Sequence, residues 1–267
     1  MLEFNKRSFR FNVPLVSGSI NLVSNKYTPT TDPQLLHTDY YFTGDYDYTY
    51  FIEEISHMSI RPPKSSVLLF RHGARDTSST GVDGQLNDRG KNYSTDLGDY
   101  LNQLNTAIKF SISFCGTEYY RTRQTCVYIA KGLRLNIEET PEDWMSNVPI
   151  FPGIIGNYIM GETTDWETIS RFCYNPDNRA YITKKAKSLI ENVLDKIVEN
   201  NTRWNIMISH DQLLAPMIAY SLNFDTSKMI TSDNWVRFLS GIGIILYYDN
   251  TYELVPVIGN DPLYQMP

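Results

Sequence analysis

Cysteine is scarce in the 267-residue chain. Cys115, Cys126 and Cys173 form no CxxC pair and no Cys/His spacing, which excludes a zinc-finger reading. Three isolated cysteines read as buried free thiols, with one disulfide left open. Positive charge is also in short supply, with 24 Lys and Arg against 30 Asp and Glu and a net charge of −6. Binding to nucleic acid favours a basic surface, so that class of partner is not expected. The overall field gives no help in attracting an anion, so an anion site must be a local cluster of cations. The first 25 residues lack the long apolar core of a signal peptide or membrane span. No membrane partner is expected; the chain is either cytoplasmic or exported with its leader removed. There is no internal repeat and no low-complexity linker.

Hydrophobic residues make up 42% of the chain and charged residues 20%, as in ordinary globular proteins. The 19 Tyr exceed the 12 Phe and 4 Trp. Tyrosines crowd the segment Asp39–Phe51, which reads as packing rather than as a binding lip. Residues 1–60 show no helical period and read as an N-terminal extension of loops and short strands packed on a main domain. That domain is expected to span 61–267, with Pro62-Pro63 as the punctuation before it.

Within it, apolar runs alternate with helical patterns. SVLLF (66–70), FSISFC (110–115) and NIMIS (205–209) are short continuous runs expected as buried strands. Helices are expected over 87–104, 118–133, 180–199 and 211–222 from apolar residues recurring at helical spacing. The runs 242–248 and 252–257 flank Asp249-Asn250-Thr251 and suggest a terminal hairpin. Strand–helix alternation predicts an α/β fold, with a central, mostly parallel sheet covered by helices on both faces and elaborations at both termini.

Each expected strand leads into cationic or imidazole side chains. SVLLF runs into Arg71-His72-Gly73-Ala74-Arg75. FSISFC is followed by Arg121, and NIMIS by His210-Asp211. Ligands of parallel sheets bind at the carboxyl ends of strands, so neighbouring strands would bring these six charged or imidazole residues into one pocket. Guanidiniums bind phosphate oxygens bidentately. A neutral imidazole is a competent nucleophile, and a carboxylic acid can protonate a leaving oxygen. Gly73 reads as room for close approach of backbone and phosphate.

Arg71-His72-Gly73 with Arg75 resembles the signature of the histidine phosphatase superfamily, which holds acid phosphatases, phytases and phosphoglycerate mutases. Three further segments are similar and in order: Leu86–Gly90 leading to Leu97-Gly98, Arg121–Thr125, and Ser209-His210-Asp211. The likeness spans about 65–222 and leans toward the acid phosphatase branch. It implies a phosphoglycerate-mutase-like three-layer α/β/α fold and hydrolysis of small-molecule phosphate monoesters through a phosphohistidine on His72. By the same likeness Arg71, Arg75, Arg121 and His210 hold the phosphate, and Asp211 is the proton donor. No metal and no organic cofactor is implied. The pattern departs at Thr77, where the acid phosphatase motif has proline, and this puts the course of the loop in doubt.

Competing readings stand beside these. Asp211 also suits a helix N-cap. A mutase-type phosphotransferase would take its acid from a glutamate such as Glu138, Glu139 or Glu142, which otherwise read as a solvated acidic turn. A member that binds phosphate ligands without turnover is the third possibility. Arg89, Lys91 and Arg123 read as solvent-facing charges. Asn92 and Asn200 open glycosylation sequons. Oligomeric state has no signal in the sequence.

Overall fold

The computed structural model describes residues 27–29, 63–79, 81–104, 112–135, 165–226, 229, 235–257 and 261. Nearly all of the expected extension over residues 1–60, the tyrosine-rich 39–51 segment and the glutamates at 138, 139 and 142 lie outside the described residues.

The elements run β1 (Thr28–Pro29), β2 (Pro63–Arg71), α1 (Asp88–Leu104), β3 (Ile112–Cys115), α2 (Tyr120–Gly132), α3 (Trp166–Tyr174), a 3₁₀ turn (Pro176–Asn178), α4 (Arg179–Asn200), β4 (Trp204–Ser209), α5 (Asp211–Ser221), β5 (Gly241–Tyr247) and β6 (Thr251–Val257). One six-stranded sheet has the order β1-β6-β5-β2-β4-β3. Only β5 runs against the others, because it pairs antiparallel with both β2 and β6 while the remaining pairs are parallel. The terminal hairpin is therefore part of the central sheet and flanks β2.

β2 is apolar on both faces because both are covered. Val67 and Leu69 point into a core shared with α3, α4 and α5, and Leu68 and Phe70 into one shared with α1 and α2. These two cores on opposite faces make the protein a three-layer α/β/α structure. Pro63 occupies the first position of β2, where its missing N–H is tolerated. Helix α3, around buried Ile169 and Cys173, was not foreseen; its seed is Asp165, whose side chain accepts from the Thr168 N–H at 2.9 Å as an N-cap.

Two glycine contacts fix α1. A Cβ on Gly98 would lie 2.1 Å from Ile129 O, and one on Gly132 would lie 2.0 Å from Thr95 O. Helices α1 and α2 thus cross backbone to backbone. At the start of α1, a Cβ on Gly90 would lie 2.1 Å from Ala74 O, and one on Gly73 would meet Gly90 O and Ser94 Oγ at 3.0 Å. The bareness of Gly73 therefore makes room for helix α1 and not for a ligand, which corrects the sequence reading.

All three cysteines are free and buried. Arg89 is not a solvated charge: it pairs with the fully buried Asp261 at 2.8 Å and lies over the Tyr93 ring. The Asn200 amide donates to Ser113 Oγ and Asn205 Oδ1, so it belongs to a side-chain network at the start of β4 rather than standing open for modification. No helix among the described residues is long and apolar enough to cross a membrane.

Candidate active site

Strand register places the site. β2 and β4 pair in parallel from Ser66↔Trp204 to Arg71↔Ser209, so both strands end at the same level. His72 and His210 leave the sheet side by side, with ring centroids 5.4 Å apart at 68°. The chain is pinned there because the His72 N–H donates to Ser209 O at 3.0 Å and the Arg71 N–H to Ser240 O at 2.9 Å. β3 stops two positions earlier against β4, at Cys115↔Met207. That leaves Gly116–Tyr119 to cross toward the histidines and start α2 with Arg121 in its first turn.

His72 is 4% exposed, and its two ring nitrogens have separate tasks. Nδ1 lies 2.8 Å from Gly73 O. A carbonyl only accepts, so Nδ1 carries the proton. Nε2 accepts from Arg121 Nε at 3.1 Å, the complementary assignment. Burial first, then the charges of Arg121, His210 and Arg71, push the imidazole well below its ordinary pKa, against the opposing bond to Gly73. The ring is thus neutral at physiological pH with its lone pair on Nε2.

His210 caps α5 and is 3% exposed. Its Nε2 lies 3.1 Å from Thr117 Oγ1, and Tyr119 packs edge-on against the ring at 4.8 Å. Burial, followed by the charge of Arg121, lowers its pKa to about 3 even though Asp211 pulls the other way. Thr117 is itself held by Thr122, whose hydroxyl lies 3.0 Å from its own and accepts the Thr117 N–H at 2.9 Å.

Asp211 is the first residue of α5, and its carboxylate turns back toward the end of β2. Oδ1 accepts the Gln212 N–H at 2.9 Å. Oδ2 accepts from Trp235 Nε1 at 2.9 Å and pairs with Arg71 at 3.1 Å. Burial works to raise its pKa, but Arg71, the Trp235 bond and His210 outweigh it and hold the carboxyl below the usual range. The N-cap role falls to His210 rather than to Asp211. Arg71 donates from Nη1 to Val236 O at 2.6 Å. Its guanidinium lies over Phe238 at 4.1 Å and beside Trp166 at 5.6 Å, contacts that hold a cation in a desolvated place.

Arg75 sits on the loop after β2 and bonds the Asp76 and Ser79 carbonyls of that loop at 3.1 and 2.9 Å. It lies within electrostatic reach of Asp211, which partly offsets the pKa lowering caused by its burial. Thr77 lies on a turn closed by the Ser79 N–H to Asp76 O at 3.0 Å. Proline is also favoured at the same position of such turns. Arg121 reaches across to donate to Gly81 O at 2.9 Å, and Thr125 of α2 accepts the Gly73 N–H at 3.1 Å.

All six residues singled out in the sequence therefore stand in one cluster. Sequence reasoning missed their support, namely Thr117, Tyr119, Trp166, Trp235 and Phe238. Thr117 carried a weak signal as a hydroxyl residue between a strand and a helix. Tyr119 and Trp166 carried none, and neither did Trp235 or Phe238, because the sequence does not say that 235–240 runs past the end of β2. Among the described residues, no group of three or more His, Cys, Asp or Glu could hold a metal ion. The chemical inventory is one neutral imidazole with a directed lone pair, a second neutral imidazole, three guanidiniums and one anionic carboxylate.

No protein-family model matches the chain, and no significant match was found among curated proteins. Solved structures are similar in part. A phosphoserine phosphatase mutant of Entamoeba histolytica bound to phosphoserine aligns over 74% of this chain and 99% of its own, at 12% identity and a TM-score of 0.46. YhfR of Bacillus stearothermophilus aligns over 74% and 97%, at 14% identity and 0.44. A phosphoglycerate mutase of Bacillus anthracis aligns over 74% and 93%, at 14% identity and 0.42.

Proposed function

We propose that this protein is a phosphatase of the histidine phosphatase superfamily, with a phosphoglycerate-mutase-like domain, that hydrolyses phosphate monoesters through a phosphohistidine on His72. One observation carries the reading: His72 Nδ1 is committed to the Gly73 carbonyl, so the nucleophilic lone pair sits on Nε2 facing the Arg121 guanidinium, with Arg71 within electrostatic reach. The phosphoryl group enters between His72 and Arg121. Its oxygens take the hydrogen bonds of Arg121, Arg75, Arg71 and His210, which spread the charge that builds up in transfer. Nε2 attacks phosphorus, the ester P–O bond breaks, and the leaving oxygen takes a proton from Asp211. The phosphorylated ring keeps its Nδ1–H, and the Gly73 carbonyl stabilises the positive charge. Water then attacks phosphorus, Asp211 takes its proton, and the P–N bond breaks to release inorganic phosphate and neutral His72.

Asp211 rests as an anion, so its proton arrives with the substrate. A phosphate monoester has a second pKa of about 6, and its monoanion supplies one proton on binding. The acid phosphatase branch suits this use of a His-Asp pair. A mutase-type acid among Glu138, Glu139 and Glu142 is the second reading, tested below.

The test is His72→Ala. It should abolish turnover of p-nitrophenyl phosphate and covalent labelling by a phosphoryl donor, and chelators should leave the wild-type rate unchanged. Normal turnover in that variant defeats the mechanism, and a wild-type protein inactive on every monoester supports the binding-only alternative.

A further inference from the structure

Segment 235–238 makes no part of the motif that points to the phosphoryl-transfer residues, yet it touches two of them. We propose that Trp235 is a positioning residue for the Asp211 carboxylate, fixing through its indole N–H which oxygen exchanges protons with the leaving group and with water. The inference rests on the reading of Asp211 as the acid and base, and the experiment separates the two.

The geometry is specific. Trp235 is 1% exposed and stacks on Trp166 at 5.7 Å and 8°, so the indole has one orientation. Its Nε1–H meets Asp211 Oδ2 at 2.9 Å. The next residue anchors the other partner of the same oxygen, because Val236 O takes Arg71 Nη1 at 2.6 Å while Arg71 Nη2 lies 3.1 Å from Oδ2. Oδ1 is restrained by the Gln212 N–H. Two donors on Oδ2 and one on Oδ1 stop the carboxylate from turning about its Cβ–Cγ bond. They also favour the charged form over the protonated one.

The charged and titratable groups around Asp211 are Arg71 at the end of β2, Arg75 on the following loop and His210 ahead of α5. Trp235 differs from these because its donor is neutral and cannot titrate. Removing it lifts the Asp211 pKa without removing a charge from the phosphate pocket. The effect of Trp235 must then appear in the proton steps and not in the holding of phosphate.

The experiment compares Trp235→Phe, Trp166→Phe and Asp211→Asn on p-nitrophenyl phosphate and on a simple alkyl phosphate across pH. In Trp235→Phe, kcat on the alkyl phosphate should fall about tenfold, as expected for one lost hydrogen bond to a charged group. KM should stay within about twofold, and the alkaline limb of kcat should move to higher pH. Trp166→Phe, which loosens the same stack but keeps the indole donor, should leave that limb in place. If Trp235→Phe fails to fold, benzothienylalanine at position 235 keeps the shape and stack while deleting the N–H, and the same shift is expected. A limb that coincides with wild type in the variant lacking the donor overturns the proposal. When Asp211→Asn still loses alkyl phosphate turnover, that result leaves the acid–base reading intact. If Asp211→Asn behaves as wild type, the acid–base reading fails and Trp235 has nothing to position.

Discussion

Arg121 donates its Nε–H to His72 Nε2 at 3.1 Å, so this guanidinium rests on the lone pair that would attack phosphorus in the proposed mechanism. Together with burial, the contact favours the unprotonated imidazole. In the proposed mechanism a phosphoryl group would displace it by offering Arg121 a better acceptor, an anionic oxygen in place of a neutral nitrogen.

Arg121→Ala should lower kcat/KM about 10²–10³-fold, the usual cost of removing one donor aimed at developing charge. Arg121→Lys should recover little, since an ammonium lacks the planar fork that serves phosphate and the Gly81 carbonyl together. Steady-state kinetics and inhibition by inorganic phosphate measure both effects. A wild-type inhibition constant in Arg121→Ala would place the phosphate elsewhere.

The two site histidines should make the fold acid-sensitive well above the carboxylate range. Both are held neutral by burial and by Arg121, with His210 lowered to about 3 and His72 also well below its ordinary value. The unfolded chain binds protons at these positions near pH 6.5, while the folded chain does not. Stability is therefore complete above pH 6.5 and is lost as pH falls toward the folded values. Two such groups cost about 2–3 kcal/mol between pH 7.5 and 5.5. Asp211, also lowered, adds its loss only below about pH 4. Urea unfolding at the two pH values measures the difference, and His210→Gln should remove about half of it. Equal stability at both values would mean that the histidines are not held neutral.

The helix crossing supplies a test that is independent of function. Glycine to alanine inside a helix ordinarily stabilises by about 0.5–1 kcal/mol. At Gly98 the added Cβ would lie 2.1 Å from Ile129 O, a backbone atom that cannot swing aside. Gly98→Ala should therefore destabilise by about 2 kcal/mol or more. The melting temperature should drop by several degrees. Asn92→Ala, on the exposed face of the same helix, should leave it level or raised. A Gly98→Ala protein as stable as wild type would mean that the helices do not meet backbone to backbone.

The strands were legible where both faces are buried, because a run such as SVLLF has no other good place in a sheet covered by helices on both sides. The site was legible for a related reason. Arg71, His72, His210 and Asp211 follow immediately on apolar runs, so once β2 and β4 pair in register the four must meet. The supports were not legible, since Thr117 and Trp235 act through pairings made across sequence separations of 93 and 24 residues. Gly73 was read the wrong way because a missing side chain shows that something approaches but not from which side. Helix α1 is what approaches.

The two proposed readings differ in which carboxyl group gives up the proton. Asp211 reaches the cluster through Arg71, and a proton on Oδ2 must compete with that cation and with the Trp235 donor. On the proposed reading it acts as an acid only when the substrate brings the proton, so kcat/KM should decline as pH rises through about 6, the second ionisation of the monoester. Replacing the substrate with one whose second pKa is lower should move that limb down by the same interval. Asp211→Asn should lose most of its rate, on the order of 10²–10⁴-fold, on an alkyl phosphate whose leaving oxygen needs a proton. It should lose far less on p-nitrophenyl phosphate, whose leaving group departs without one. Glu139→Gln should show no such dependence on the leaving group. The reverse pattern, with Glu139→Gln sensitive to the leaving group and Asp211→Asn indifferent, would assign the acid to the glutamate.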